Sequence, residues 1–594
     1  MYASSLRVPF VFDDGPSITA NRSVRSLVTG LFPPHGQGLT VEGRPLVNLS
    51  LAVNFALGGT AVEGYHVLNI AIHGLAALLL FGTVRRSLLI LWRAGAARRN
   101  PGVDAAWIGF AAALLWAVHP IQTESVTYVI QRAESLMGLC YLLTLYGFIR
   151  GCEAGNHSGW LGLSIAACLC GMASKEVMAS APLILLLYDR TFLSGSVAEA
   201  LRVRRTYHSL LWATLGLLIV LVVGTGNRGG TAGIGINVTP LAYWETQAPA
   251  LCHYLRLSVW PSPLIFDYGV SWLKTPWEAL PSAFVVAGLA IASGFALWRR
   301  WAIGFLGALF FCILAPTSLV PGNRQTLAEH RMYLPLAAVV ILVVYGGYGL
   351  LRRFPRRGLV GGIAAVGLAL CLGAVTIARN RDYASELALY RDTVAKRPDN
   401  AYARYNLGKL LAESGQQEEA VAQYREAVRL SPGMEQASYN LGNSLDALRR
   451  PREAAAAFRS AIAANPHYAM AHYNLGNVLL ELGDKREALA EFAEAVHLHP
   501  EYAEARDNLG AVLLDLGRYA EAESQLREAL ALAPGSRETY VNLGNALLMQ
   551  AKVADAVAAY RAALALDPSF APARMRLSQI QDRLKNGGSY PEGR

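Results

Sequence analysis

The sequence predicts an all-α protein in which a polytopic membrane helix bundle is followed by an α-solenoid. Long apolar runs fill residues 64–378, whereas residues 380–594 carry charged side chains throughout. In this second region the tripeptide Asn-Leu-Gly recurs at a constant spacing. Only 16% of all residues are charged, below the roughly 25% that is usual in soluble globular proteins. The chain is therefore expected to have a membrane part and a soluble part.

The membrane part contains ten apolar segments that are candidates for membrane-spanning helices. A helix needs about 20 mostly apolar residues to cross the hydrocarbon core of a bilayer. Residues 1–63 are predicted to form the first extracytoplasmic loop, and residues 244–260 either an interfacial helix or a re-entrant pair. The candidate spans are 64–83, 104–118, 134–150, 160–173, 177–189, 209–224, 281–298, 302–319, 333–351 and 358–378.

Clusters of arginine between these segments predict the orientation of the bundle, because cytoplasmic loops carry an excess of Lys and Arg. With ten spans, four clusters fall on one face, which is predicted to be cytoplasmic, so everything after residue 379 lies on the opposite side. The net charge of +10 is concentrated in these loops, and no nucleic-acid binding is predicted. The clusters are Arg85, Arg86, Arg93, Arg98 and Arg99; Arg202, Arg204 and Arg205; Arg299 and Arg300; and Arg352, Arg353, Arg356 and Arg357.

The constant spacing indicates a tetratricopeptide-repeat (TPR) array, since each TPR is a helix-turn-helix unit of 34 residues. Asn-Leu-Gly stands at 406–408, 440–442, 474–476, 508–510 and 542–544. Small Gly and Ala side chains let the helices of a repeat approach closely, and a proline with the same period ends the second helix. The predicted repeats are 401–434, 435–468, 469–502, 503–536 and 537–570, with a partial repeat or linker at 383–400 and a capping helix and tail at 571–594.

Asparagine recurs at one position in the first helix of every repeat. This residue could face the concave groove and clamp the backbone of a bound peptide. It could equally form a hydrogen bond between the two helices of its own repeat, and the sequence leaves both interpretations open. The five residues are Asn406, Asn440, Asn474, Asn508 and Asn542.

Two adjacent carboxylates, Asp13 and Asp14, follow an apolar run in the first predicted external loop. A carboxylate beside a membrane surface can act as a general base or bind a metal, and a second one raises the pKa of the pair by repulsion. The alternative is an ordinary acidic turn, because Asp-Asp-Gly-Pro also suits turn chemistry. No cysteine spacing resembles a zinc site, and neither a metal site nor a cofactor is predicted.

Further polar residues converge on the same predicted face, at the outer ends of several spans. Charged side chains at membrane depth are costly and indicate function by default. Taken together they favour a site for an anionic ligand, although snorkelling anchors and interhelix salt bridges are the alternatives. Candidate phosphate ligands are Arg132, Lys175, Arg324 and Arg331, and the other candidates are His119, Glu124, Glu134, Glu176 and Glu329.

The order of short motifs along the chain resembles that of the transmembrane and TPR repeat-containing O-mannosyltransferase family. This resemblance implies a GT-C-like fold, a polyprenyl-phosphate sugar as donor, and an acidic pair that supplies the catalytic base, with Asp13 as base and Asp14 assisting. Members usually have a spanning helix before that pair, where here only Tyr2–Leu6 remains, so the preceding helix is expected to be missing. The motifs are Phe10-Val-Phe-Asp-Asp14, Arg44-Pro-Leu46, His66-Val-Leu-Asn69, His119-Pro120, Arg132-Ala-Glu134, Lys175-Glu176 and Glu329-His-Arg-Met-Tyr-Leu-Pro335.

The resemblance therefore implies a membrane glycosyltransferase that moves a sugar, in this family mannose, to Ser or Thr hydroxyls of an acceptor protein docked on the TPRs. The high content of Ala, Arg and Gly suggests a bacterial member in the inner membrane, with its TPRs outside the cytoplasm. The alternative is a non-catalytic, membrane-anchored TPR scaffold for an envelope complex. A pure anchor needs only one or two spans, so ten spans with converging polar residues favour the enzyme. A transporter is disfavoured because residues 64–378 show no clear internal symmetry.

Overall fold

The computed structural model describes residues 1–35, 39–93, 101–153, 158–225, 239–270, 272–273, 275–322, 326–351, 354 and 357–585. The chain divides into two compact units, Met1–Arg397 and Pro398–Arg594. Helices account for the regular structure of both units, which confirms the predicted all-α fold class.

The first unit contains the predicted spans. Within the described residues, seven helices are long and apolar enough to cross a membrane, and an eighth span results if the bent pair Gly102–Val118 and Pro120–Thr127 is one span. The two halves of that pair meet at 55°. The seven helices are Val62–Trp92, Val129–Cys152, Glu176–Ser194, Arg205–Gly224, Pro276–Trp298, Ala302–Leu319 and Gly358–Asp382.

Two of the ten predicted spans are shorter than a membrane crossing. The segments 160–173 and 333–351 correspond to the apolar helices Ser158–Met172 and Pro335–Leu350, of 15 and 16 residues. At a rise of about 1.5 Å per residue, such helices fall below the roughly 30 Å of a hydrocarbon core. Apolar composition alone thus overestimates the number of full-length spans.

Residues 1–63, expected to form a loop, contain the apolar helix Pro45–Gly58 as well as several short helical turns. The region 244–260 lies in one helix, Pro240–Val259. The remaining α-helices of the first unit are Leu27–Gly30, Val62–Arg93, Pro101–Val118, Thr123–Thr127, Arg132–Cys152, Ala181–Tyr188, Val197–Val203, Arg205–Ala213, Leu215–Gly224, Leu280–Trp298, Arg357–Asp382 and Glu386–Lys396.

One end of the helical bundle, which we call the aspartate end, gathers the acidic pair and the polar turns. Asp14 accepts a hydrogen bond from the Ile130 amide, Thr376 donates to the Val118 carbonyl at 2.8 Å, and Leu46 donates its amide to Ala173 at 3.2 Å. These contacts bring residues 1–14, 44–48, 118–132, 173–176 and 376–380 together, although they are far apart in sequence. Their convergence positions the candidate site.

At the other end of the bundle, the arginine end, Arg204 pairs with Asp189 at 2.8 Å and Arg300 donates to the Gly195 carbonyl at 3.2 Å. Arg86 forms a short ion pair with Glu153. Three of the four predicted clusters are represented in these contacts. Of the remaining residues used for orientation, Arg98, Arg99, Arg352, Arg353 and Arg356 lie outside the described part of the chain.

The second unit is a right-angled succession of helix pairs only in the sense that each repeat supplies two packed helices. Glycine at the eighth position of each repeat makes this packing possible: a Cβ at Gly442 would lie 2.5 Å from the Phe458 ring. The helices are Ala401–Glu413, Gln417–Leu430, Glu435–Ala447, Pro451–Ala464, Ala469–Leu482, Lys485–Leu498, Ala503–Asp515, Tyr519–Leu532, Arg537–Met549, Val553–Leu566 and Ala571–Lys585.

Candidate active site

The acidic pair begins with a strained backbone turn. Phe12 has a φ of +47°, a region that bulky residues rarely adopt and that costs about 1–3 kcal/mol where it occurs. The turn places Asp14 inside the protein, where it is 0% exposed. There its Oδ2 accepts from the Val11 amide at 3.1 Å and its Oδ1 from the Ile130 amide at 2.8 Å. Both oxygens of Asp14 are therefore engaged by backbone.

Asp13 lies on the other side of the same turn and is only partly buried. Its amide donates to the Tyr128 hydroxyl at 2.9 Å, which fixes the backbone, and its Oδ2 accepts from Thr40 Oγ1 at 3.2 Å. Two neighbouring and chemically identical residues thus have different environments. Asp13 is the carboxylate of the pair that an incoming hydroxyl group can approach.

Electrostatics separates the two carboxyls further. Burial raises the pKa of Asp14 to about 8, against the two backbone hydrogen bonds, which lower it. Repulsion from Asp13 adds to the increase, and Arg132 offsets a part of it. Since this pKa lies above neutrality, Asp14 retains its proton at pH 7, and it is not the base of the pair there.

Two buried polar pairs lie at the aspartate end and involve four predicted residues or their neighbours. Lys175 donates a short hydrogen bond to Glu134, and the two side chains are 6% and 2% exposed. Glu124 accepts from the amide of His330 at 3.0 Å and lies 2.6 Å from its Nδ1. Burial lowers the pKa of His330 to about 3, with Lys175 as the next cause, so the imidazole is neutral and its Nδ1 donates to the carboxyl.

Arg132, a predicted phosphate ligand, is 0% exposed and uses all three of its nitrogens within the protein. Nε donates to Asn69 at 2.6 Å, Nη1 to the Ser50 carbonyl at 3.1 Å, and Nη2 to the Tyr65 carbonyl at 2.9 Å. Its geometry supports a role in joining segments of the chain. Lys175 is likewise engaged by Glu134, so neither residue's contacts support the predicted phosphate binding.

The other predicted residues lie around the same end of the bundle. Arg331 is within 3.4 Å of Tyr243 Oη, and Glu176 is 3.4 Å from Arg44. His119 accepts from the Ile121 amide at 3.3 Å and so caps a short helical turn. Arg324 lies outside the described residues.

Glu329 is held from two sides: its Oε1 accepts from the Ile265 amide at 2.5 Å and from the Tyr268 hydroxyl at 2.7 Å. Burial raises its pKa to about 7, whereas Arg379 lowers it. Arg379, Arg331 and Lys175 are all within electrostatic range of Glu124. The cations of the aspartate end therefore converge, even though some of them are already paired.

Sequence reasoning missed several residues of this site. Phe266 contacts four aromatic rings, and among these Phe12, Tyr128 and Tyr383 have centroid distances of 6.1, 5.6 and 6.0 Å. Arg379, 4% exposed, follows the last span on the side where arginine is depleted in membrane proteins. That departure is the one sequence signal that could have indicated it.

The repeated asparagines connect neighbouring repeats. The Nδ2 of Asn474 donates to Tyr439 Oη at 3.1 Å and to Asn443 Oδ1 at 2.8 Å, both in the preceding repeat. Asn508 makes the equivalent bonds, to Tyr473 at 3.4 Å and to Asn477 at 2.8 Å. Asn440 donates to Tyr405 at 3.5 Å, and Asn542 to Asp507 at 3.4 Å. These four amides form a ladder along the first helices, and no such bond joins the two helices of one repeat.

Together, the helical bundle and the repeats define a polytopic membrane protein with a TPR array. Models of the tetratricopeptide repeat match residues 389–422, 439–497, 473–537 and 537–570, and a model described as TPR repeat matches 408–447. The TPR protein YrrB, whose crystal structure has "an unusual peptide-binding site", is 25% identical, with 32% of this chain and 97% of YrrB covered and a TM-score of 0.31.

The curated relatives extend the similarity to the membrane part. The chain is 28% identical over 475 residues to "Protein O-mannosyl-transferase TMTC4" of Mus musculus, covering 71% of this chain and 63% of the relative. It is 28% identical over 478 residues to the TMTC1 protein of Homo sapiens, covering 71% and 52%. The predicted resemblance is confirmed: the chain is a relative of the TMTC proteins, and it spans less than two thirds of the length of these two.

Proposed function

We propose that the chain is a membrane glycosyltransferase that moves a sugar, mannose by analogy with its relatives, from a polyprenyl-phosphate donor to Ser or Thr hydroxyls of an extracytoplasmic protein. The observation that carries this proposal is the division of the acidic pair. Asp14 is buried, protonated and held by backbone amides, and this leaves Asp13 partly exposed on a fixed backbone. That arrangement is what a single general base requires.

In the proposed reaction, the oxygen of the acceptor hydroxyl attacks the anomeric carbon of the sugar, and its proton passes to the Asp13 carboxylate. The bond between that carbon and the phosphate oxygen breaks, and the electron pair remains on the phosphate. Cations placed at the aspartate end stabilise the charge that develops on the leaving group. The Tyr128 hydroxyl and Thr40 hold the Asp13 backbone and side chain in place during this step.

An apolar cavity supports a lipid donor. It has a volume of about 180 Å³ and lies among the helices Val62–Arg93, Arg132–Cys152, Ala302–Leu319 and Pro335–Leu350. Its lining is almost wholly aliphatic and aromatic, with Leu80, Leu145, Phe305, Leu334 and Ile341 among the lining side chains. Such a cavity suits the hydrocarbon chain of a prenyl lipid, because burying apolar surface is favourable at no polar cost.

The TPR array is proposed to bind the acceptor protein. Tyrosines and asparagines alternate along its first helices, as in Tyr439, Tyr473, Asn474 and Asn508, and these side chains are only partly buried. Asparagine amides can bind a peptide backbone, and tyrosine supplies apolar contact area together with a hydroxyl. A scaffold without catalysis would need the same surface, so the groove alone does not separate the two functions.

The decisive experiment measures sugar transfer by the purified full chain in proteoliposomes, with a polyprenyl-phosphate mannose donor and extracted envelope proteins as acceptors. Asp13→Asn is expected to lower transfer by about 100- to 10,000-fold, because it removes the general base while preserving size. Thr40→Val, which removes one hydrogen bond to that carboxylate, should lower it far less. Undiminished transfer by Asp13→Asn would refute the assigned base, and no transfer by the wild type with any acceptor fraction would favour the scaffold.

A further inference from the structure

Three hydrogen-bond donors at the end of helix Arg357–Asp382 have no acceptor among the described residues. They are Nε and Nη2 of Arg379 and Oη of Tyr383. Both side chains are almost completely buried, at 4% and 0% exposure, and the guanidinium carbon lies 5.5 Å from the centre of the Tyr383 ring. Buried donors are nearly always paired, so three unpaired ones in one place call for an explanation. A ligand rich in acceptor oxygens would satisfy all three.

The remaining part of Arg379 is anchored, so the guanidinium has a fixed orientation. Its Nη1 donates to Asp382 and to Asp392, each at 2.9 Å. Asp392 also receives Lys396 Nζ at 2.7 Å, and the two anions are thus shared between two cations. Fixing one nitrogen leaves Nε and Nη2 on the outer edges of a rigid planar group. Planar guanidinium groups bind phosphate and carboxylate through two parallel hydrogen bonds.

The surroundings are suited to an anion. Arg379 belongs to the set of cations that lie within electrostatic range of Glu124, together with Lys175 and Arg331. Lys175 is engaged by Glu134 and Arg132 by backbone carbonyls, as described above. Arg379 is therefore the buried arginine at the aspartate end that still has donors to offer to a ligand.

The unpaired donors also lie close to the acidic pair. The ring of Phe266 packs against Phe12, which precedes Asp13, at 6.1 Å, and against Tyr383 at 6.0 Å. The base and the unpaired donors therefore flank one aromatic side chain. In the transfer of a sugar, the base and the leaving phosphate must lie on opposite sides of the anomeric carbon, separated by about the width of the sugar, and this arrangement provides such a separation.

We propose that Arg379 and Tyr383 bind the phosphoryl group of the lipid donor and hold it as it leaves the sugar. This inference rests on the proposed function for the identity of the lipid, but not for the chemistry of the site, which is that of a phosphoryl oxyanion. During transfer, the guanidinium and the phenol hydrogen-bond to the oxygens of the phosphate that keeps the electron pair of the broken bond.

The test measures binding of two probes, undecaprenyl phosphate and inorganic phosphate, to the full chain in lipid nanodiscs. Tyr383→Phe removes one unpaired hydroxyl and no hydrogen bond within the described residues, so it should fold normally and bind undecaprenyl phosphate about tenfold more weakly. Arg379→Lys should weaken binding by about 10- to 100-fold. Tyr2→Phe is the matched control, since its hydroxyl is also buried without an acceptor and its ring packs against His73; it should leave binding unchanged.

Each outcome decides the question. Unchanged undecaprenyl phosphate binding by both Tyr383→Phe and Arg379→Lys overturns the proposal, and so does an equal loss in Tyr2→Phe. Inorganic phosphate that binds through Arg379 while undecaprenyl phosphate does not would identify a site for free phosphate and overturn the lipid assignment. If the variants impair lipid phosphate binding but the wild type never transfers sugar, the phosphoryl site stands and the proposed function fails. Transfer that is insensitive to both variants leaves the function standing and refutes this site.

Discussion

The protonated state of Asp14 makes a prediction about stability that the variant Asp14→Asn tests. Asparagine cannot titrate, and its amide nitrogen must face one of the two backbone amides that now donate to the carboxyl. One buried donor then loses its acceptor, which costs about 1–3 kcal/mol at every pH. Any change of this difference with pH comes from the titration of Asp14 itself.

The sign of that change follows from the two pKa values of Asp14. The pKa is 3.8 for an unperturbed aspartate and about 8 in the folded chain, because burial favours the neutral form. Between these values the folded chain binds more protons than the unfolded chain. The contribution of Asp14 is therefore complete at low pH and is lost as the pH rises through the folded-state value, with a slope of at most about 1.4 kcal/mol per pH unit.

The assay is thermal unfolding of the purified wild type and Asp14→Asn in the same detergent, from about pH 5 to about pH 9, with the difference between the two midpoints as the readout. We expect the wild type to be more stable at the acidic end and to lose this advantage towards the alkaline end. Asp484→Asn, an exposed aspartate of the TPR unit, should show a constant difference. A wild type whose advantage is constant, or grows with pH, would show that Asp14 is ionised in the folded chain.

Three more predictions concern the ion pair, the repeats and the orientation. Lys175→Met leaves the buried Glu134 without its partner and should destabilise the protein by about 3–5 kcal/mol, whereas Lys175→Met with Glu134→Leu should restore most of the stability; equal losses in the single and double variants would contradict the pairing. Gly476→Ala places a Cβ 2.7 Å from the Phe492 ring and should cost about 1–3 kcal/mol in urea unfolding, while Gly433→Ala, with open space around it, should be neutral. Gly433→Cys should react with a membrane-impermeant maleimide from the extracytoplasmic side only, and labelling from the cytoplasm would refute the orientation.

Local pattern was enough to predict the fold class because both halves of the chain repeat short rules. Apolar runs reveal helices suited to a membrane, and the recurrence of Gly442 opposite Phe458, 16 positions later, reports helix pairs that pack the same way in each repeat. Composition does not measure where a helix ends, and so Ser158–Met172 was expected to be longer than it is.

The site was predictable only as a set of residues, since its geometry depends on contacts between distant segments. Asp14 meets Ile130, which is 116 positions away, and Glu124 meets His330 across 206 positions. Nothing local distinguishes Asp13 from Asp14, because the difference is produced by the backbone amides that surround one of them. Arg132 was chosen for its charge, although the structure engages that charge with carbonyls, and it is Arg379 that retains unpaired donors.

The distribution of buried charge bears on the choice between an enzyme and an anchor. Removing an ion from water costs several kcal/mol, and even well-paired buried ions are often no more stabilising than apolar side chains of the same size. A bundle that only anchored a TPR array could fill its interior with leucine. This bundle instead buries Arg132, Glu134, Lys175, Glu329 and Arg379 at the aspartate end, beside the acidic pair. Because that arrangement is unfavourable for stability alone, a reaction that needs preorganised charge at one end of the bundle accounts for it better than anchoring does.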